Sequence, residues 1–189
     1  MIVAALCLLA AIASPYFTVI AMKQQEKVVV IDPSGTIVYS PLLAFSEAGE
    51  LCAYQAKLAC MALLQRNPAG PDNPDLLQKL YVKEARVQTE ELIKSQSQYF
   101  TDKQIHQKVE LSNIDVLATR KLKAKGGSYD SWIVRARGNL IRLGTFEGLP
   151  IEEPHTFSLD IEFIRNPDIA GNGLFPLLVT NIAYEEKAL

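Results

Sequence analysis

The chain opens with an uninterrupted apolar stretch. From Ile2 to Met22 no residue is charged, and about 20 apolar residues are enough to cross the hydrocarbon core of a bilayer as one helix. A helix buried in a soluble core would keep polar or charged residues on its solvent face. The pattern therefore predicts residues 1–22 as a transmembrane anchor.

A cleaved signal peptide is the alternative for the same stretch. It would have a short apolar core that ends at Ala11-Ile12-Ala13, followed by export of the remainder. No Lys or Arg precedes this core, and apolar residues continue to Met22. Both features favour the anchor over the signal. Whether a cytoplasmic tail precedes residue 1 stays open.

A strand, a turn and a second strand follow the apolar stretch. Residues 27–31 form a short segment rich in β-branched side chains, and residues 36–39 again have the pattern of an extended strand. Between them, Asp32-Pro33-Ser34-Gly35 has the composition of a tight turn with proline at its second position. The Asp32 carboxylate is therefore assigned to the turn.

Helical periodicity dominates the next segment. A first helix opens at Ser40-Pro41 or at Ser46 and runs to Leu64, with small and apolar residues that predict deep burial. The proline-rich residues 67–74 break it. Asn73 and Pro74 then predict an N-cap and a first-turn proline for an amphipathic second helix of about six turns.

From residue 107 onward the apolar positions alternate, as they do in half-buried strands. Helices followed by a meander of strands indicate an α+β fold, in which the helices pack on one face of a curved four-stranded antiparallel sheet. The length fits one domain over residues 23–189. The four predicted strands are residues 109–117, 131–142, 156–164 and 177–184.

The composition supports a folded chain without a nucleic-acid partner. Hydrophobic residues make up 49% of the sequence, charged residues 21%, and the net charge is −2, so no broad basic face is implied. One local run, Arg120, Lys121, Lys123 and Lys125, is basic. Because no aromatic residue is interleaved with it, we interpret it as a solvated hairpin tip.

The three cysteines do not form a disulfide framework. Cys7 lies in the apolar stretch, and Cys52 and Cys60 are eight residues apart in one predicted helix. That spacing separates their Cα atoms by about 12 Å, beyond the reach of a disulfide. We expect both to be packed thiols. No CxxC pair or His/Cys cluster indicates a metal site.

No arrangement of residues predicts catalysis. The two histidines, His106 and His155, stand in no metal-ligand spacing and are expected at the surface or in loops. The serine-nucleophile, P-loop and dinucleotide motifs are absent from the sequence. The sequence thus predicts neither an enzyme nor a cofactor.

Two pairs of carboxylates are candidates for acid–base catalysis. Glu152 and Glu153 adjoin in a predicted loop, and Asp160 and Glu162 share the polar face of the third strand. Carboxylates that face solvent serve solubility more often than catalysis, so neither pair is assigned a reaction.

With no catalytic, cofactor or nucleic-acid site predicted, the sequence favours a function in protein–protein contact. The small residues Ala53, Ala56 and Ala59 on the first helix would permit close approach of a partner. Trp132, at the rim of the sheet, could anchor one. The unpaired backbone groups of the sheet edge are a further candidate interface. We therefore expect self-association and contact with other envelope subunits.

The order of elements resembles a known family. Residues 64–76 look like that family's break between its first helices, and Arg165-Asn166-Pro167-Asp168 looks like its tight turn before the closing strand. The family comprises the periplasmic subunits of type IV secretion inner-membrane complexes, including a conjugative-transfer branch. It has the cone-shaped fold of nuclear transport factor two. The resemblance covers nearly the whole chain.

The resemblance implies a non-catalytic scaffold of a type IV secretion or conjugation channel, without a cofactor. The chain would span the bacterial inner membrane once through residues 2–22 and place its domain in the periplasm. Two alternatives remain from the sequence. One is a small-ligand-binding or lyase-type enzyme with a pocket in the cone. The other is an adhesion protein associated with a pilus or the envelope.

Overall fold

The computed structural model divides the chain into two compact units, Met1–Ala48 and Gly49–Leu189. The division falls inside the predicted domain of residues 23–189, and the predicted domain boundaries remain predictions. The structure describes residues 28–31, 37–40, 49–124, 127–166, 168 and 172–189.

The first unit contains a two-stranded antiparallel sheet. Strand β1 (Val28–Ile31) pairs with β2 (Ile37–Ser40), and Val28 lies opposite Ser40. The two predicted strands are thereby confirmed. The predicted turn at residues 32–35 and the anchor at residues 1–22 lie outside the described residues. Among the helices that are described, none has both the length and the apolar character needed to span a bilayer.

The second unit begins with helix α1 (Gly49–Leu64). Of its two predicted starts, Ser40 is the last residue of β2 and Ser46 lies outside the described residues. Its predicted end at Leu64 is confirmed. Small and apolar side chains cover most of its circumference, and α1 is accordingly buried against the strands and helices that follow. Its fully buried residues are Gln55, Ala56, Ala59, Cys60, Ala62, Leu63 and Leu64.

The predicted second helix is two helices, α2 (Pro74–Leu80) and α3 (Lys83–Asp102). Pro74 occupies the first turn as expected. Asn73 stands at the N-cap position, but its side chain makes no capping hydrogen bond. The prediction of one continuous helix of six turns was wrong.

Tyr81 is the reason for the break between α2 and α3. Its backbone is extended, with φ −102° and ψ 129°, and its hydroxyl donates to the carbonyl oxygen of Ala59 at 2.9 Å. The next backbone N–H, of Val82, donates to Val179 at 3.0 Å. These contacts draw the chain onto α1 and a strand, and they outweigh the local helical periodicity.

Four long strands make up most of the sheet, and each contains the strand predicted for it. In the described residues the sheet has six strands in the antiparallel order β4-β3-β5-β6-β7-β8, curled into a half-barrel. The prediction of an α+β fold with a curved antiparallel sheet is thus confirmed. The long strands are β5 (His106–Ala124), β6 (Gly127–Phe146), β7 (Leu149–Arg165) and β8 (Leu177–Ala188).

The predicted number of four strands omitted two short ones. Residues in the proline-rich break form β3 (Arg66–Asn67) and β4 (Gly70–Pro71), and β3 pairs with Gln107 of β5. The Asn67 side chain closes this small hairpin, since its oxygen accepts from the Ala69 N–H at 2.8 Å. A two-residue strand leaves no alternating pattern, so the sequence could not reveal it.

Alternation along the strands places the core on one face of the sheet. Every second residue of β6 and β7 is buried there, and α1 packs against β5 and β6 while α3 packs against β8. Irregularities in the pairing of β5 with β6 increase the local twist and bend of the strands. The core residues of the sheet include Trp132, Val134, Ala136, Leu140, Phe157, Leu159, Ile161, Phe163, Leu177 and Val179.

The connection between β7 and β8 is longer than the predicted tight turn. It spans residues 166–176 and is organised by the buried side chain of Asn166. That amide donates to the carbonyl oxygen of Phe175 at 3.0 Å, and the Asn166 backbone N–H donates to Pro176 at 2.8 Å. These two hydrogen bonds hold the start of the connection, at Asn166, against its end, at Phe175 and Pro176.

Candidate functional site

A buried ionic cluster lies where α3 meets the sheet. Strand β6 places Arg142 on the same face as buried Leu140, two residues earlier, so the guanidinium enters the interior. Its Nη1 lies 2.7 Å from Oε1 of Glu186, and its Nη2 donates to Oε2 at 2.9 Å. The side chains are 6% and 16% exposed. This two-point pairing is the strongest geometry available to a guanidinium and a carboxylate.

Neighbouring side chains complete the polar partners of this pair. The Arg142 Nε donates to the Gln107 side-chain oxygen at 2.6 Å, and the Gln107 amide donates to the carbonyl oxygen of Leu64 at 2.6 Å. The Tyr184 hydroxyl donates to Glu186 at 2.7 Å. Buried charges are stable when paired and hydrogen-bonded in this way. The chain of contacts connects the end of α1 to three strands.

The pKa of Glu186 lies below its usual value. Burial alone would raise it, but hydrogen bonds from Tyr184 and Arg142, together with the positive charge of Arg142, more than offset that effect. The carboxylate is consequently ionised at neutral pH and serves as the counter-ion of Arg142.

His155 stands beside the same ion pair. Its Nε2 is 3.5 Å from both Arg142 Nη1 and Glu186 Oε1, and its Nδ1 is 3.2 Å from the carbonyl oxygen of Glu153. A ring protonated at Nδ1 donates to that carbonyl and turns Nε2 as an acceptor toward the guanidinium. The side chain is 14% exposed, so the expectation of a surface histidine was wrong for His155. His106, the first residue of β5, is exposed as expected.

A second buried guanidinium belongs to Arg66 of β3, which is 3% exposed. Its Nη2 donates to the side-chain oxygen of Gln96 on α3. Both cations contact the Phe100 ring, also on α3, whose centroid is 4.5 Å from the Arg66 guanidinium carbon and 5.4 Å from that of Arg142. Burial, aided by the charge of Arg142, lowers the pKa of Arg66 to about 10. Cation–π contact with Phe100 attracts both guanidinium groups toward the ring.

A more exposed cluster lies at the end of α3. Lys103 Nζ is 2.8 Å from Oε1 of Glu153, the Tyr99 hydroxyl donates to the other carboxylate oxygen, and the ammonium lies 4.3 Å from the centre of the Tyr99 ring. Burial alone would raise the pKa of Glu153, but hydrogen bonds from Lys103 and Tyr99 lower it. Glu153 therefore links β7 to α3, and its predicted place in a loop was wrong, since β7 begins at Leu149.

The outer face of the sheet carries the remaining predicted carboxylates. Asp160 accepts two hydrogen bonds from Arg135, each at 2.6 Å, and Glu162 accepts from Ser131 at 3.0 Å. Both face away from the helices, as the sequence predicts. An open groove of about 720 Å³ crosses the same face, lined by Ser112, Arg137, Gly138, Asn139, Thr156, Phe157, Ser158, Glu185, Glu186 and Lys187.

The cysteine thiols of α1 are packed, as predicted. Both Cys52 and Cys60 are free and buried, and burial raises their pKa values to about 11 and about 12. A thiol that is protonated at neutral pH is a poor nucleophile and a poor metal ligand. Among the described residues no group of three or more His, Cys, Asp or Glu side chains is placed to hold a metal ion.

The predicted interface residues occupy different environments. Ala56 and Ala59 are 0% exposed and Trp132 is 2% exposed, because α1 and β6 direct them into the core. Ala53 is partly exposed. Contact with a partner through these residues stays a prediction. Of the four, only Ala53 has appreciable exposed surface within the described unit.

The buried ionic cluster was not predicted from the sequence. One sign was present, because Arg142 continues the apolar register of β6 after Leu140, and a charge on the apolar face of a strand indicates a buried partner. Its counter-ion, Glu186, is 44 positions away in the chain. Nothing in the sequence pairs the two.

The chain is similar in fold to solved structures. A periplasmic fragment of TraM gives a TM-score of 0.57 at 8% identity, covering 76% of this chain and 99% of that one. The periplasmic domain of DotI gives 0.49 at 11% identity, covering 76% and 96%. An IcmL-like type IV secretion system protein of Legionella pneumophila gives 0.44 at 10% identity, covering 73% and 92%.

The likeness to the periplasmic fragment of TraM agrees with the resemblance inferred from the order of elements. At such low identity the likeness to the TraM fragment shows the fold. Neither a protein-family model nor a curated protein sequence matches the chain.

Proposed function

We propose that this protein is a non-catalytic assembly subunit of a type IV secretion or conjugation channel. Residues 2–22 anchor it in the bacterial inner membrane, and the folded chain beyond them lies in the periplasm. One observation carries the proposal, namely that the fold matches almost the entire length of a periplasmic TraM fragment. This match in fold agrees with the resemblance inferred independently from the sequence.

The chemistry of the interior supports an assembly role. The two buried guanidinium groups have partners in the interior. Arg142 pairs with Glu186 and Gln107, and Arg66 donates to Gln96 and lies against Phe100, although its Nε has no hydrogen-bond partner among the described residues. Such a cluster fixes the position of α3 on the sheet and offers no side chain poised to attack a substrate. The functional surface is therefore the outside of the domain.

Tethering gives weak surfaces a role in assembly. An anchored domain is confined to a thin layer beside the membrane, which raises its effective concentration for self-association and for contact with other subunits. Interfaces of ordinary size then suffice. The partly exposed Ala53 and the free edges of the outer strands are the surfaces we assign to these contacts.

Purification of the tagged full chain from its own cross-linked membranes, followed by mass spectrometry, tests the proposal. We expect secretion or conjugation subunits to be recovered with it. The matched control lacks residues 2–22 and is exported by an unrelated signal peptide, and it should recover fewer of them at equal abundance. Recovery as a lone monomer with a bound small molecule would instead favour the ligand-binding or enzymatic alternative.

A further inference from the structure

A two-stranded projection extends beyond the six-stranded sheet. Strand β7 pairs with β6 only from Ser131 onward, whereas β5 and β6 continue to pair until Ala124 lies opposite Gly127. We name the paired residues 121–124 and 127–130 the β-arm. With about 3.3 Å per strand residue, it reaches about 13 Å past the last three-stranded row.

The β-arm concentrates positive charge in an acidic chain. Residues 120–131 hold Arg120, Lys121, Lys123 and Lys125 against the single carboxylate of Asp130, a net charge of +3. The whole chain carries −2, so the residues outside this segment carry a net −5. A local positive field on an otherwise negative molecule orients that end toward an anionic partner.

The described cations at the base of the β-arm are available to such a partner. Arg120 and Lys121 are both exposed, and within the described residues neither forms an ion pair with a carboxylate. By strand alternation they stand on opposite faces. Positive charge is therefore presented on both sides of the projection.

Apolar surface accompanies the charge. Val116 and Leu117, next to a bulge in β5, are 42% and 47% exposed, and Tyr129 of the β-arm is 39% exposed. Exposed aliphatic and aromatic side chains beside Lys and Arg are typical of protein segments that lie in the headgroup region of a bilayer. A site for single-stranded nucleic acid would present several aromatic platforms, and the β-arm has one aromatic residue.

We propose that the β-arm docks onto anionic phospholipid headgroups of a membrane surface. Arg120 and Lys121 supply the charge, while Leu117 and Tyr129 contact the headgroup–acyl boundary. This contact goes beyond the proposed anchor, because it would hold a second point of the protein at the bilayer. It does not depend on membership of a secretion channel.

A fluorophore in the β-arm tests the proposal. The full chain with Cys7→Ala and Ser128→Cys is labelled with a maleimide of nitrobenzoxadiazole, to which the buried Cys52 and Cys60 react slowly. It is reconstituted with excess vesicles of phosphatidylcholine alone or with one quarter phosphatidylglycerol. We expect a blue-shifted, stronger emission only in the vesicles that contain phosphatidylglycerol, reversed by high salt.

Two matched controls locate the effect. A label at Glu147→Cys, in the turn at the opposite end of β6, should not respond to phosphatidylglycerol. Arg120→Gln with Lys121→Gln should lower the arm's docking constant about 25-fold, at about fivefold for each cation. Lys79→Gln with Lys83→Gln removes the same charge from exposed helix positions and should change little. Melting curves verify that all variants fold.

Three results would overturn the proposal. Emission that is unchanged in both vesicle types would show that the β-arm does not dock. An equal response in phosphatidylcholine alone would show apolar insertion without headgroup recognition. A response to a single-stranded DNA oligonucleotide, with none to vesicles, would show that the basic segment serves nucleic acid instead.

Discussion

At the residue scale, the buried ion pair determines how much the interior tolerates change. Arg142 and Glu186 are largely shielded from water, and each supplies the opposite charge that the other needs in the interior. Removing one partner leaves a buried charge without compensation, whereas removing both leaves none. The pair therefore constrains which substitutions keep the fold.

Arg142→Leu is expected to lower the free energy of unfolding by about 3 kcal/mol, because Glu186 is left buried and unpaired. Urea unfolding followed by circular dichroism measures the change. The double variant with Glu186→Leu should recover a substantial part of the loss. Arg137→Leu is the control, since its contact with Asp115 at 3.6 Å is half exposed, and it should cost less than about 1 kcal/mol. Equal losses for both single variants would contradict this account.

Acid should destabilise the domain through Glu186. Its pKa is lower in the folded state than its ordinary value of 4.5, so its stabilising contribution is complete above that value and disappears as the pH falls through the folded pKa. We expect the denaturant midpoint to decrease as the pH is lowered below 4.5. Glu186→Gln should flatten this dependence. An unchanged slope in the variant would show that other carboxylates, such as Asp160, are responsible.

At the element scale, β5 and β6 approach each other closely at Gly138. At Gly138 the backbone of β6 comes so near to Glu110 and Leu111 that a Cβ atom would overlap the Glu110 carbonyl oxygen. The pairing of the two strands slips at the same level, between Leu111 and Asn113. Glycine is required here for space rather than for an unusual φ.

Gly138→Ala is expected to destabilise the protein by about 3 kcal/mol, because backbone atoms have to move to admit the methyl group. Thermal or urea unfolding provides the measurement. Gly49→Ala is the matched control, since nothing lies within 4 Å of its Cβ position. At the exposed start of a helix it should be neutral or stabilising by up to about 1 kcal/mol. Similar behaviour of the two variants would disprove the packing argument.

The break between α2 and α3 gives a second test at this scale. Tyr81→Phe removes the buried hydroxyl that donates to Ala59, and we expect a loss of about 1 kcal/mol. Tyr54→Phe, on the partly exposed side of α1, should have no measurable effect. If the two substitutions are equivalent, the Tyr81 hydroxyl does not hold the break.

At the scale of the whole molecule, the likeness to a periplasmic fragment and the apolar N-terminal stretch lead to the same expectation. A folded periplasmic unit that acts in a membrane complex has to be kept beside the bilayer. Under the proposed function, the unpaired parts of the β5 and β8 edges and the projecting β-arm are the surfaces that neighbouring subunits and lipid would contact.

The full chain should remain with membranes after carbonate extraction, because residues 2–22 form an uncharged apolar segment of sufficient length to span the bilayer. Immunoblotting of the pellet and the supernatant measures this. A variant with two leucines of the stretch replaced, Leu8→Arg and Leu9→Arg, should be released. A released wild-type product that begins near Ser14 would establish the cleaved signal instead.

The sequence by itself determined the class of fold and most of its long elements. Alternating apolar positions identified the four long strands, and the apolar circumference of α1 predicted its burial, because these patterns depend on the periodicity of a single segment. Local chemistry also explained Pro74 in the first turn of α2. Such features need no knowledge of which elements become neighbours.

Only the tertiary structure decided what depends on contacts between distant segments. The break at Tyr81 requires Ala59 and Val179, strand β3 requires Gln107, and the counter-ion of Arg142 comes from the last strand. A local propensity contributes a few tenths of a kcal/mol per residue, whereas satisfying a buried polar group contributes about 1–3 kcal/mol. Where the two compete, the long-range contact prevails, and no single segment of the sequence contains it.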